Sequence, residues 1–427
     1  GSRGANGVVL VTTKSGASGK VSVSYNGYWG QKKIANADAV QVGSPYDFVR
    51  NQYERAVLDN TLDDDYTPLY GIFEDIDLYK GIKANDWLDA VFGNVGSTLN
   101  QNISVSGSSD KVKWTASYSY IGDNAIMTGS DYKRNNISFK TQYKPIKQLT
   151  FDINARYSQT DVRGAGANSV NDGGTTSGNG RLKHAVQYTP FPIEGVASDS
   201  DLAEDYGDNA PPLLSVADND TQRTRKNWTL NGAVTWHIIK NLNLRVEGGL
   251  DDYSQVDNRF YGLTTYYTRA TATKEYQGMP AMTYKDVSRT KYRTTNTLNY
   301  NFKELIKDER HNLDILLGQE YILTKSNNVS STVEGFPTFF DADMAWKFMA
   351  SGTSVASNNF YNPNDQLLSF FGRVNYDFDS RYSVSATVRA DGSSKFSKGN
   401  QWGYFPSAAA AWTISNEPWM EAASSWL

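Results

Sequence analysis

Few residues in this chain have the type and spacing that chemistry needs. Its three histidines, His184, His237 and His311, are scattered, and cysteine is absent, so no H-E-x-x-H or Cys/His spacing for a metal exists. There is no G-x-S-x-G elbow to expose a nucleophilic serine. Asp251 and Asp252 adjoin, but glycoside hydrolysis needs two carboxyl groups at a set separation in space, which adjacency does not supply. Gly1, Gly4 and Gly7 fit neither G-x-G-x-x-G nor G-x-x-x-x-G-K-[ST], and their spacing suits close backbone packing instead. No catalytic constellation emerges, and the chain reads as a non-enzyme without a cofactor.

Two further groups are candidates for binding. Asp63 to Asp65, Glu74, Asp75 and Asp77 are the residue type calcium prefers but lack the D-x-[DN]-x-[DN]-G spacing, so they read as a solvated loop. Calcium in the loops or on a partner remains the one cofactor alternative. Sugar rings stack on exposed aromatic faces, which makes Tyr266, Tyr267, Phe336, Phe339, Phe340 and Trp346 the substrate-contact candidates. The plainer reading is that they pack the loops against one another or against a partner. A net charge of −4 lacks the basic excess of a nucleic-acid binder.

The elements that must position these residues are strands. Mean hydropathy is −0.55 and no stretch approaches the ~18 consecutive apolar residues of a membrane helix, whereas a spanning strand needs only ~9–11 residues and hides its apolarity in alternate positions. Val21, Val23 and Tyr25 alternate with serines, predicting a strand from Lys20 to about Trp29. Ser44, Pro45 and Asp47 predict a capped helix to about Leu58. From Ile103 onward alternating runs recur, with hairpins at Gly107 to Asp110 and at Pro145, then Trp228–Ile238 with Leu242–Leu250, Leu298–Phe302 with Leu313–Leu317, and Leu368–Phe378 with Tyr382–Ala390. A last strand lies near Ala408 to Ile414. Short links alternate with long ones (Thr160 to Lys226, Gln255 to Lys285, Lys325 to Gln366), as periplasmic turns alternate with extracellular loops in an outer-membrane barrel. The parity is consistent with about twelve strands.

Charge and aromatic placement refine this. Lys113, Lys140, Arg156, Arg245, Arg373, Arg389, Asp152, Glu247 and Asp314 all sit opposite the apolar phase of their strands. A lipid-facing Arg or Lys at mid-bilayer costs roughly 2–4 kcal/mol. A soluble sandwich shows the same alternation with the apolar face inward, so phase alone does not choose. Aromatics on the apolar phase cluster near the short turns (Tyr143, Trp236, Phe378, Tyr382) and near the long loops (Tyr118, Tyr157, Trp228), with small residues between. That predicts two interfacial girdles. The fold class expected is all-β, a transmembrane antiparallel up-and-down β-barrel.

Several stretches resemble one family. GSRGANGVVLVTTKSG, Gly1 to Gly16, is similar to the end of the plug in the SusC/RagA-type TonB-dependent outer-membrane transporters, Y-G-S-R-G-A-N-G-V-I-x-I-T-T-K-x-G. Asn100 to Met127, Arg181 to Ile193 and Arg381 to Met420 resemble later family segments, the last through R-x-D-G-S-S-x-F and W-G-x-F-P-S, with Trp419 in place of the usual Phe. The resemblance implies a fragment beginning in mid-motif: residues 1–19 the end of a plug domain, residues 20–427 the first part of a larger plugged barrel. Gly1, Arg3, Gly4, Asn6, Gly7, Arg389, Asp391, Gly392, Phe405 and Pro406 are then motif residues with structural roles, Asp391 to Ser394 as a turn and Phe405–Pro406 as the start of a strand, with Arg389 and Asp391 as a lumen pair near the plug. It further implies import of a glycan or peptide across a Gram-negative outer membrane of the Bacteroidota type, in contact with outer-membrane lipid. The partners implied are a SusD-like surface lipoprotein and the TonB–ExbB–ExbD complex. The competing readings are a soluble or surface-attached β-rich glycan-binding protein and a passive porin.

Overall fold

The computed structural model describes residues 21–35, 42–164, 181–191, 211–265 and 267–423. The expectations placed on residues 1–19, including Gly1, Arg3, Gly4, Asn6 and Gly7, and on Tyr266 fall outside that set. Thirteen strands form one antiparallel sheet. They are β1 (Ser22–Lys32), β2 (Gly96–Ser108), β3 (Val112–Asn124), β4 (Asp131–Ile146), β5 (Leu149–Arg163), β6 (Thr221–Ile239), β7 (Leu242–Tyr261), β8 (Ala281–Asn301), β9 (His311–Glu334), β10 (Thr353–Tyr361), β11 (Asp365–Phe378), β12 (Tyr382–Ser393) and β13 (Trp402–Trp412). Each pairs with the next along the chain, except that β9 bonds its lower half to β11 and its upper half to β10.

Register turns the alternation into two surfaces. One row reads Leu149, Trp236, Leu244, Leu298, Leu317, Gly372, Val388, Pro406 across eight strands. These residues share the outward face, where Trp236 is 48% and Leu317 55% exposed. In water such a face would be an aggregation surface; against lipid it is the correct one. Its aromatic girdles are present: Phe378, Tyr382 and Trp412 stack in sequence near the short turns, and Tyr157 packs on Trp228 at 4.3 Å near the long loops. At the level of Trp228 the same face turns polar, with Asp252 and Lys325 in its row and Lys226 in the row above, which marks where the strands leave the apolar layer.

The inward face carries a second row, Gln142, Asp152, Ala233, Glu247, Thr295, Glu320, Ser369, Asp391. Arginines from the rows above and below clamp its carboxylates. Arg245 donates to Asp152 at 2.7 Å and to Glu247 at 3.4 Å, Arg293 to Glu247 at 2.7 Å, and Arg389 to Glu320 at 2.9 Å and Asp391 at 2.7 Å. The expected Arg389–Asp391 pair is therefore formed, and a third member, Glu320, joins it.

Two local expectations are corrected. Asp391 to Ser393 belong to β12, and the turn starts only at Ser394; Gly392 is needed there because a Cβ would sit 2.9 Å from the Trp402 indole of β13. Phe405 and Pro406 lie inside β13, opposite Arg389 and Val388, not at its start. The short D-G-S-S run carries turn-forming residues, but cross-strand pairing overrides local preference. Several strands also run farther than their alternation shows, β6 from Thr221 and β9 to Glu334, since past the apolar layer both faces are polar and period-two contrast vanishes.

All long connections lie at one end of the sheet. The connection between β1 and β2 folds into α1 (Pro45–Asp59) and α2 (Trp87–Phe92). The Ser44 Oγ accepts from the Asp47 amide at 3.1 Å, and the Asp47 carboxylate accepts from the Ser44 amide, which is the predicted capping box. Val49 and Ala56 of α1 pack on Tyr66, Tyr70, Ile76 and Phe191, and burial pushes the phenols of Tyr66 and Tyr70 up to about 12. The acidic run does local work: Asp75 accepts from the Ile72 amide at 3.0 Å and Asp77 pairs with Lys80 at 2.8 Å.

Candidate functional site

At the loop end, four connections enclose a cavity of about 600 Å³. Its walls come from Asn94 and Val95 before β2, from 124–131 between β3 and β4, from Arg163 at the end of β5, from α4 (Pro212–Ala217) and Asp220 before β6, and from Asp341 to Asp343 at the start of α5 (Ala342–Lys347). The wall is fixed by apolar packing and by backbone bonds. Val91 and Phe92 of α2 pack on Met127, on Ala185 of α3 (Arg181–Gln187) and on Val216 of α4. Thr128 donates its amide to Val91 O at 2.9 Å and its hydroxyl to Ala90 O at 3.1 Å, and accepts from Asn94 at 3.0 Å.

Arg163 is the charged centre of this cavity. Its guanidinium bonds Asp220 at 2.9 Å and Asp343 at 3.1 Å and lies over the Trp346 ring at 5.6 Å. One side chain thus holds the β5–β6 and β9–β10 connections together. Burial pushes the Asp220 carboxyl above the ordinary aspartate value, against the pull of Arg163. Asp220 Oδ1 has no hydrogen-bond donor among the described residues. Asp341 caps α5 by accepting from the Met344 amide at 2.8 Å.

Beside the cavity the connection between β7 and β8 is tied down by two buried carboxylates. Asp218 accepts from the Thr264 amide at 2.8 Å and hydroxyl at 2.6 Å, and burial raises its carboxyl in spite of those bonds. Glu334, 2% exposed, accepts from the Tyr267 hydroxyl at 2.6 Å and the Thr273 amide at 3.0 Å. Arg181 is buried and donates to Ser215 O at 3.2 Å; burial, and then the charge of Arg259, push its guanidinium down to about 10.

The aromatic candidates separate by environment. Tyr267 stacks on Tyr261 at 4.5 Å as well as binding Glu334. Phe336 is fully buried among Phe260, Met282 and Val333. Phe340 packs against Phe336, Phe339 and Phe348, and Trp346 sits under Arg163 next to the cavity. Phe339 alone of the described five presents an open face, at 75% exposure. Sequence reasoning missed Asn94, Arg163, Asp220 and Asp343, whose common signal is a polar residue at the loop-side end of a strand or helix. The histidines do not gather: His237 lies between Thr150 and Asn243, and His311 bonds Tyr376 at 2.6 Å. Among the described residues no group of three or more His, Asp or Glu is placed to hold a metal.

Comparison with known proteins follows from this geometry. No family model matches the chain. It is 27% identical over 444 residues to TonB-dependent receptor SusC of Bacteroides thetaiotaomicron, covering 99% of the chain and 40% of the relative. It is 25% identical over 433 residues to TonB-dependent receptor P3 of Formosa agariphila, covering 99% and 38%. The chain therefore spans about two fifths of the length of these curated relatives. Among solved structures, the RagAB peptide importer in its open-open state superposes with a TM-score of 0.74 at 22% identity, over 99% of this chain and 47% of that one. In its closed-closed state the TM-score is 0.72 at 20% identity, over 97% and 47%. The chain is thus similar in sequence to TonB-dependent receptors over 99% of its length, and its antiparallel sheet has the fold of the RagAB structures over that same span.

Proposed function

We propose that this chain forms the first part of the barrel wall of an active outer-membrane importer, with residues 1–19 as the end of its plug and residues 20–427 as wall and loops. The transport is energised through TonB–ExbB–ExbD and works with a SusD-like surface lipoprotein. The cargo we assign is an oligosaccharide. The observation that carries the reading is the coincidence of an apolar outward row with a clamped polar inward row in a chain similar to SusC over 99% of its length. An outer surface of that kind needs lipid, and an inner surface of that kind suits a polar filling or cargo. The likeness to RagAB, at 20–22% identity, speaks for the fold and not for a peptide cargo. The rim cavity and the open ring of Phe339 supply the polar groups and aromatic face that sugars use.

The test is uptake by a strain lacking the gene. Radiolabelled oligosaccharide accumulation should fall to background, and should fall equally in a strain lacking TonB. Uptake that persists without TonB would leave passive diffusion as the mechanism, and peptide uptake lost in place of glycan uptake would reassign the cargo. Affinity purification of the receptor from membranes should bring down a surface lipoprotein.

A further inference from the structure

We infer that the cavity around Arg163 is a capture subsite for uncharged, hydroxyl-rich saccharide units and that it discriminates against acidic ones; this rests on the import reading above. The first support is the balance of donors and acceptors. Asp131, Asp220, Asp341 and Asp343 line the cavity with a single cation, Arg163. The Nε and Nη2 of that cation are taken by Asp220 and Asp343, so its charge is already balanced before a ligand carboxylate or sulfate arrives. The acids have partial partners of their own, Asp341 in its helix cap and Asp131 beside Lys133 at 3.8 Å. The acceptors left open to a ligand are the Asp131, Asp341 and Asp343 carboxylates, Asp343 with 49% of its side chain exposed, and what satisfies them without adding charge is hydrogen-bond donors. Sugar hydroxyls are donors without charge. An acidic sugar would bring a further negative charge into a ring of four carboxylates, which is unfavourable wherever water is partly excluded.

The second support is the apolar share of the wall. Val95, Met127, Leu213 and Val216 alternate with the polar groups, and a pyranose needs such a surface for its C–H faces as well as partners for its hydroxyls. The third is rigidity. The polar groups sit on strand ends and short helices that are locked by the Val91, Phe92, Met127 and Val216 cluster, so little ordering has to accompany binding.

The experiment uses the full-length receptor in outer-membrane vesicles. This stretch contains no cysteine, so Ala217→Cys, on the exposed cavity wall, gives a reporter for maleimide labelling, with Leu58→Cys, exposed on α1 and outside the cavity lining, as control. Three probes are added in turn: a pool of neutral malto-, xylo- and manno-oligosaccharides, a pool of oligogalacturonates and alginate oligomers, and a tryptic peptide pool. The neutral pool should slow labelling at Ala217→Cys about tenfold and leave Leu58→Cys unchanged. Asp131→Asn with Asp343→Asn should cut that protection and let the acidic pool protect. Protection of the unaltered ring by the acidic or peptide pool overturns the assignment, and so does absence of protection by all three while uptake in cells is intact. If uptake of every pool in cells is independent of the gene, it is the import reading that fails.

Discussion

Asn296 of β8 donates a 2.8 Å hydrogen bond to Gln319 of β9 on the outward face of the wall, between Val246 and Phe370 in the same row. Two amides in an apolar layer are tolerated because each supplies part of what the other loses from water. Replacing one alone strands its partner, so Asn296→Leu should destabilise the barrel by about 1–3 kcal/mol, while Asn296→Leu with Gln319→Leu should be neutral or stabilising. The midpoint of heat-modifiable migration of the full-length receptor in detergent reads both.

The inward clamp at Arg389 should behave differently. Glu320 and Asp391 are 8% and 5% exposed, and both bond Arg389. Arg389→Met removes the cation from two buried carboxylates and should cost about 3 kcal/mol. Arg389→Lys should recover only part of it, because an ammonium does not reproduce the fork. The same migration assay ranks the three proteins; equal midpoints for Arg389→Met and the parent would show that the clamp contributes nothing.

Tyr267→Phe deletes one bond to Glu334 and should loosen the 262–280 connection by roughly 1.5–3 kcal/mol, the range for a hydrogen bond to a charged group. Arg269 and Lys274 lie in that connection, so trypsin should nick Tyr267→Phe faster there, with cleavage elsewhere unchanged.

The Asp218 carboxyl is raised by burial, so the folded state holds its proton more tightly than the unfolded one. Its contribution is fully present below the ordinary aspartate value and is lost as pH rises through the raised value. Protection from hydrogen exchange at 211–220 and 262–265, taken relative to the intrinsic exchange rate at each pH, should therefore be greater near pH 4 than at pH 7. Asp218→Asn keeps an oxygen for the Thr264 donors and should flatten that dependence; an unchanged pH response would assign it to another group.

Much of the fold was legible in the residues themselves. Alternation placed the strands, because side chains of a strand face opposite surfaces by covalent geometry, and the opposition of Arg245, Glu247 and Arg389 to the apolar phase separated those surfaces without coordinates. Ser44 and Asp47 announced α1, since a cap is a local hydrogen bond. What lay beyond reach was every relation set by register or by loop packing. That Asp152, Glu247, Glu320 and Asp391 share one row depends on pairings between strands far apart in sequence, and that Gly392 faces Trp402 depends on the register of the β12–β13 hairpin. β10 went unread because Ser354, Ser357, Asn358 and Asn359 show no apolar alternation at a rim where both faces meet water. Exposure likewise divided the loop aromatics, burying Phe336 and opening Phe339. The cavity of Arg163, Asp220 and Asp343 exists only where four connections converge, and no local rule of the sequence brings those ends together.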